Sequence, residues 1–414
     1  MKIRRYSPSF LILLGVLLAT SVFIFIASAK SCIRPDDYKK LGLPVLSIET
    51  EGGKKIRSKE HYFDATYSLD AEIPFSGKCK IRGRGNSTWS NIDTAKKPYL
   101  LKLNEEQPLL GMKSAQKWVL LANATDKSFL RNEYALRLAN NIWNRFDFVP
   151  KEQFITLVIN GRYEGLYCLS EKVEIDKNRL PLSGDSFLAK ADVHWNEPWT
   201  FISKNGSRMN IVEQDGATPF DYQSMQMTFQ SIEDTITEKD PSVYRSVIDT
   251  PSFIDWYLIN EFTKNHDSRF YASCYMYYDS QRKQMFMGPV WDFDISCGYT
   301  SEDGCHTPDG LVTNEGNWYV HMLKRPDFRQ ELRQRWIETR EPLYQTINAI
   351  QAEADSLRQA VELDDRVWKS FGHRHWPNAP GWRNRKNYQS EIDYLVQFLK
   401  ARYAWIDSYF LTYF

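Results

Sequence analysis

The stretch FIDWYLINEFTKNHDSRFYASCYMYYDSQRKQMFMGPVWDFDISCG, residues 253–298, changes period part-way along. Pro251 suits the first turn of a helix, so a helix is predicted over Pro251–Lys264. The runs SCYMYYD and QMFMGPVWDFD, separated by a turn at Ser280–Lys283, then read as a β-hairpin. A helix feeding directly into a hairpin points to an α+β chain. The segment Lys264-Asn265-His266-Asp267 precedes the hairpin, and Trp291-Asp292-Phe293-Asp294 ends it about 25 residues later. The hairpin thereby sets carboxylates side by side at one end. Such a placement suits divalent-metal and phosphate chemistry, in which oxygen ligands hold Mg²⁺ and a separate aspartate orients or deprotonates an attacking hydroxyl. Taken alone, the same residues also fit a structural role, with Asp267 capping a turn and the later pair accepting from backbone amides.

Upstream, Leu43 to about Leu103 is strand-like, with PVLSIET, HYFDATYSLD, CKIRGRG and PYLLKL separated by turn signals such as Glu51-Gly52-Gly53. In Ser128–Ile142, Leu130, Tyr134, Leu138 and Ile142 recur every four residues, a helical stripe preceded by the candidate caps Asp126 and Ser128. QFITLVIN and YEGLYCLSEKV flank Asn160-Gly161, a strong hairpin signal. FLAKAD and FISKNGSRMNIVEQ read as strands, Phe220–Ile236 as a helix, and the C-terminal third as helical, clearest over Phe328–Tyr344, Thr346–Leu363 and Tyr388–Tyr413. No repeat and no Pro- or Ser-rich linker divides the chain, so one large α+β unit is expected.

The N-terminus carries Lys2, Arg4 and Arg5 and then an apolar run of about 18 residues from Phe10 to Ala27, the order of a secretory signal. Three endings fit: cleavage after Ala27-Ser28-Ala29, lipidation of Cys32 in the lipobox-like Ala29-Lys30-Ser31-Cys32, or an uncleaved anchor. Residues 1–32 are thus read as a signal or anchor, and the protein as extracytoplasmic and membrane-attached, in the periplasm or at the cell surface. No second apolar run is long enough to span a bilayer. The net charge of +1, from 53 basic and 52 acidic residues, gives no global field for nucleic acid. If Cys32 is lipidated, five cysteines remain, with no zinc-like spacing, and Cys297 and Cys305 are close enough in sequence to be bridged. A monomer is the default expectation.

Other groups extend the chemical reading. In Arg82-Gly83-Arg84-Gly85-Asn86-Ser87-Thr88-Trp89, glycines and small polar residues alternate with arginines, so backbone N–H groups, hydroxyls and guanidinium forks can meet an anion; Arg82 and Asn86 are candidates. It is neither a P-loop nor a dinucleotide fingerprint. Lys96, Lys97 and Lys102 lie on or beside a predicted strand, and Glu171-Lys172 ends another, so a strand lysine steadied by a carboxylate is available for phosphate. GxSxG and HExxH are absent, and His373 and His375 lack nearby carboxylates.

Taken in order, RGRGNSTW (82–89), KKPYLLKL (96–103), LGMKSAQKWVLLANATDKSFLRNEYALRL (110–138), LVINGRYEGLYCLSEKVEIDKNRL (157–180), FIDWYLINEFTKNHDSRF (253–270) and MGPVWDFDISCG (287–298) resemble the CotH kinase family, the atypical kinases named for spore coat protein H. The resemblance implies a reduced, two-lobed, protein-kinase-like fold, with a β-rich N-terminal region and a helical C-terminal part. It implies residues 33–78 as an added β-rich segment and 79–410 as the kinase-like domain. It further implies transfer of the ATP γ-phosphate to serine, or threonine, of a protein partner, with Mg²⁺ or Mn²⁺. In those terms Asp267 matches the aspartate that handles the acceptor hydroxyl, Asp292 the metal-binding aspartate and Asp294 its support, while Lys102, Arg131, Glu171 and Lys172 match positions for phosphate contact. The chain departs from the family pattern after Asp267, where Ser268–Ser273 contains no asparagine to serve as a metal ligand; Ser273, Asn265 or water are the substitutes. That departure, with the aromatic loops Trp195–Trp199 and Trp376–Trp382, keeps open a catalytically weak or inactive surface protein that recognises a protein or glycan.

Overall fold

The computed structural model describes residues 33–90, 95–215, 221–238, 241–313 and 317–414. Residues 1–32, expected from sequence to be a signal or anchor, lie outside these described residues. A short helix, α1 (Pro35–Lys39), leads into β1 (Val45–Thr50), β2 (Phe63–Asp70) and β3 (Phe75–Gly83). The one-turn helix α2 (Ser87–Ser90) separates these from β4 (Tyr99–Gln107) and β5 (Ala115–Leu121). Helix α3 (Arg131–Asn141) precedes the hairpin β6 (Glu152–Ile159) and β7 (Arg162–Glu171). These seven strands close a barrel in the order β1-β2-β3-β4-β5-β7-β6, antiparallel except where β1 meets β6 in parallel. In β2 the inward residues Ala65, Tyr67 and Leu69 are buried while Asp64, Thr66, Ser68 and Asp70 are exposed, the two-residue alternation of a one-sided strand. With Ile48, Ile81, Leu101, Trp118, Leu157 and Leu169 they fill the barrel.

The predicted boundary at 78/79 falls within β3 (Phe75–Gly83). Strands from both sides of it complete one closed barrel. Closing the barrel leaves no open sheet edge there.

A second sheet has the order β12-β11-β8-β10-β9, from β8 (Phe187–Ala191), β9 (Trp199–Ile202), β10 (Arg208–Gln214), β11 (Cys274–Asp279) and β12 (Gln284–Met287). Its helical cover comprises α4 (Tyr222–Thr237), α5 (Pro241–Val247), α6 (Thr250–Thr263), α7 (Asn317–Met322), α8 (Pro326–Trp368) and α9 (Tyr388–Tyr413). The largest core cluster lies here, with Phe253, Tyr257, Trp318, Trp336, Ile347 and Phe410 fully buried. The architecture is therefore α+β, with a β-rich N-terminal region and a mainly helical C-terminal part. The two runs predicted at Phe328–Tyr344 and Thr346–Leu363 are one helix that continues through Pro342. Among the described residues no helix is long and apolar enough to cross a membrane.

Barrel and helices are joined by buried polar contacts. Lys96 Nζ lies 2.8 Å from Asp364 Oδ1 on α8 and donates to Leu166 O, while the same carboxylate oxygen accepts from Leu166 N. Gly165 between them has φ +124°, and a Cβ there would stand 2.2 Å from Asp364 Oδ1, so only glycine fits this approach. Cys297 and Cys305, a possible bridge from sequence, are both free and buried. Cys297 accepts from Ser296 Oγ, and Cys305 is near Lys264, so the two thiols sit in different surroundings.

Candidate active site

Helix α6 ends in a left-handed residue, Lys264 (φ 49°), which turns the chain sharply. The next residue, Asn265, is buried; its Oδ1 accepts from Asp267 N and its Nδ2 donates to Asn260 Oδ1, which fixes the short 3-10 turn His266–Ser268. Asp267 is thereby presented beside β11. At the other end of the hairpin Asp292 has φ +70°, a left-handed conformation costly for a residue with a Cβ. Phe293 is buried, and its N–H donates to Asn132 Oδ1 at 2.7 Å. This pins the loop so that Asp292 and Asp294 stand on either side of an anchored phenylalanine. Ser273 Oγ donates to Asp292 Oδ2 at 3.0 Å, and Thr125 Oγ1 to Asp294 Oδ2 at 3.2 Å.

These groups line a cleft of about 770 Å³ between the barrel and the second sheet. Of the sequence candidates it holds Asp267, Asp292, Asp294, Arg82, Asn86 and Lys172. Arg82 donates to Lys59 O and Gly83 O, and Lys59 Nζ reaches Gly85 O, so the arginine-glycine loop is tied down at the barrel rim. Lys172 is steadied by a carboxylate, as the sequence suggests, but the partner is Glu174, 3.3 Å away, rather than Glu171.

Three candidates stand away from the cleft lining. Lys102 does not line the cleft: Leu101 and Leu103 face the barrel core, and among the outward residues of β4 it is Leu100, one pleat repeat earlier, that reaches the cleft wall. Arg131 is fully buried and pairs with Asp126 at 2.5 Å under the ring of Tyr299. It starts a helix and does not face the cleft. Glu171 is buried and accepts from Lys151 N at 3.0 Å.

Two further basic groups line the cleft, Arg84 of the arginine-glycine stretch and Lys190, which is not among the candidates from sequence. Arg84 is half-buried with its guanidinium 5.7 Å from the centre of the Trp291 ring; burial draws its pKa down, against the pull of Asp292, Tyr275 and Asp294. Lys190 on β8 lies 3.2 Å from Asp192 and 3.3 Å from Glu197; burial opposes its charge, yet Tyr275, Asp192 and Glu197 outweigh burial and raise its pKa. A signal for Lys190 existed: its charge interrupts the otherwise apolar, wholly buried strand Phe187–Ala191.

The carboxylates are electrostatically uncomfortable. Asp294 is pushed up to about 8, first by burial and then by Asp292, Asp267 and Asp126. Asp267 is raised by burial and by Asp292, with His266 pulling the other way. Crowded carboxylates of this kind are relieved by a cation. Among the described residues no three His, Cys, Asp or Glu side chains are grouped to hold a metal by themselves. Asp292 and Asp294, with the Ser273 hydroxyl beside them, form an oxygen donor set of the kind that takes Mg²⁺ together with water and substrate phosphates. Asn265, the other proposed substitute ligand, is committed to holding the loop.

A family model described as CotH kinase protein matches residues 81–406. No curated protein matches the chain. The matched region takes in the arginine-glycine loop, both acidic loops and the cleft they line, and with most of its length covered the chain belongs to the CotH kinase family.

Proposed function

We propose that the protein is an atypical, metal-dependent protein kinase that transfers the ATP γ-phosphate to a serine or threonine hydroxyl of a protein partner. The reading treats the barrel and the sheet-plus-helix part as two kinase-like lobes. One observation carries it: two acidic loops at the ends of one hairpin face Arg84 and Lys190 across a single cleft. Arg84 and Lys190 supply the positive charge that phosphate oxygens require, and Arg82 and Asn86 close the rim. Asp292 and Asp294 would hold the metal, which supplies charge neutralisation at the phosphates when bound. Asp267 takes the acceptor hydroxyl's proton. The hydroxyl oxygen bonds to the γ-phosphorus while the bond from that phosphorus to the β–γ bridging oxygen breaks, and ADP departs with the electron pair.

The test is incubation with γ-labelled ATP, Mg²⁺ or Mn²⁺ and a serine-rich protein acceptor. Wild type should label it, and Asp267→Asn and Asp292→Asn should each lower the rate by about 100-fold or more. Equal labelling by all three proteins, or none by any, overturns the reading. A scaffold that binds a partner without transfer is the rival, favoured by the missing asparagine after Asp267; stable partner capture with no labelling would establish it.

We also propose that the protein works outside the cytoplasm, attached to a membrane. The support is the cationic start, the apolar run Phe10–Ala27 and the lipobox-like ending at Cys32. Cys32→Ala should release a lipoprotein into the soluble fraction; retention would favour a helical anchor, and a wild-type protein already soluble in the cytoplasm would refute export.

A further inference from the structure

His266 stands between two carboxylates. Its Nδ1 is 3.1 Å from Asp267 Oδ1 and its Nε2 is 3.0 Å from Asp303 Oδ2. The three groups run from the cleft wall to the surface: Asp267 is largely enclosed, the imidazole is 11 % exposed, and Asp303 is 50 % exposed. The ring of Tyr271 packs edge-on against the imidazole at 5.4 Å between centroids.

Asp303 reaches this position through its loop. It lies in the 3-10 turn Glu302–Gly304 with φ 46°, and Lys264 Nζ staples the following residues by donating to Gly304 O at 3.1 Å and Thr307 O at 2.8 Å. Arg402 holds the same loop from α9 through Pro308 O and Gly310 O. The four residues Lys264 to Asp267 therefore build one device: the lysine fixes the loop that brings Asp303, the asparagine fixes the turn, and the histidine joins the two acids.

We propose that His266 is a positioning residue for Asp267: a cationic imidazole, clamped on its outer side by Asp303, that orients and charge-balances the buried carboxylate. The role rests on the kinase reading. For proton transfer Asp267 must be ionised when the acceptor hydroxyl arrives, whereas burial and the neighbouring Asp292 favour its neutral form. Hydrogen bonding to Asp267 raises the imidazole's own pKa, burial lowers it, and of the remaining charges Asp303 supports the cation while Arg269 opposes it. Arg269 is in turn held by Asp303, which accepts from its guanidinium, so that carboxylate also draws the opposing charge outward.

Two measurements on the full chain test this. With ¹³C-labelled histidine, the His266 resonance, assigned by its loss in His266→Gln, should titrate above the ordinary value of about 6.5. It should move back toward that value in Asp303→Asn, a change at a half-exposed position whose effect on folding is checked by its melting curve. In the labelled-ATP assay, His266→Gln should lower kcat about tenfold and move the acid limb of its pH profile up by about one pH unit, because the carboxylate has lost its adjacent cation. Asp303→Asn should give a smaller shift in the same direction. An ordinary His266 titration, or one unmoved by Asp303→Asn, overturns the proposal whatever the activity. Transfer by wild type with unmoved profiles in both variants sinks this role alone. Absence of transfer by wild type sinks the kinase reading and the role with it, while the histidine titration still reports whether the charge bridge exists.

Discussion

Asn132 connects the acidic-ended hairpin to a buried acid. Its Oδ1 accepts from Phe293 N, and its Nδ2 donates to Glu152 Oε1 at 2.7 Å. Glu152 is pushed up to about 8, mainly by burial and then by Glu133, with Ser170, Asn132 and Cys168 acting the other way. A carboxyl whose folded pKa is raised favours folding while it is protonated in both states. That contribution is complete below the unfolded value near 4.3 and is lost as the pH rises through about 8. Glu152→Gln keeps an acceptor for Asn132 and removes the titration. Its melting temperature should therefore gain on wild type between pH 5 and pH 8, with a stability difference on the order of a few kcal/mol at the upper end. Parallel melting curves across that range would show that Glu152 is charged in the folded protein.

At the scale of elements, legibility tracked local signals. Asn160 and Gly161 both have positive φ, as the hairpin turn between β6 and β7 requires, and Ile159 faces Arg162 in register. The four-residue stripe before Ile142 is α3; its N-cap is Leu130, without a side-chain cap, and the candidate Asp126 instead accepts from Arg131 N at 2.9 Å. The hairpin with acidic ends was also readable, because helix, turn and strand signals lie within one continuous stretch. Helix α8 was harder. A proline in a helix interior costs about 3 kcal/mol, but Trp336, Leu343, Ile347 and Ile350 are fully buried on one side and carry the helix past Pro342. The site residues divide in the same way. Asp267 and Asp292 could be found from their own loops. Lys190 depends on β8 pairing with β11, more than 80 residues downstream, and nothing local to either strand announces that partnership. Lys102 lies off the cleft because a strand side chain reaches it only at the pleat repeat that meets it, here that of Leu100.

Across the whole molecule, the barrel matters to the cleft even though its first two strands lie before the family match. β1 pairs with β2 on one side and with β6 on the other, so it is the stave that closes the ring. The ring supplies one wall of the site: the arginine-glycine segment leaves β3, and Leu100 and Val119 of β4 and β5 form part of the cleft wall. A chain begun at residue 79 loses β1, β2 and the first half of β3. Five inward residues go with them, Leu46, Ile48, Ala65, Tyr67 and Leu69. At about 1.5–3 kcal/mol for each large side chain, the loss approaches 10 kcal/mol, comparable with the 5–15 kcal/mol that holds a typical domain folded. It also uncovers an edge of β6 and the stub of β3, which are open to pairing with other chains. Such a truncation should aggregate, or bind a hydrophobic dye without a cooperative melt, whereas a chain begun at residue 33 should melt cooperatively. A soluble, cooperatively melting chain from residue 79 would mean that the cleft-bearing part stands without a closed barrel, and that β1 and β2 serve something other than the site.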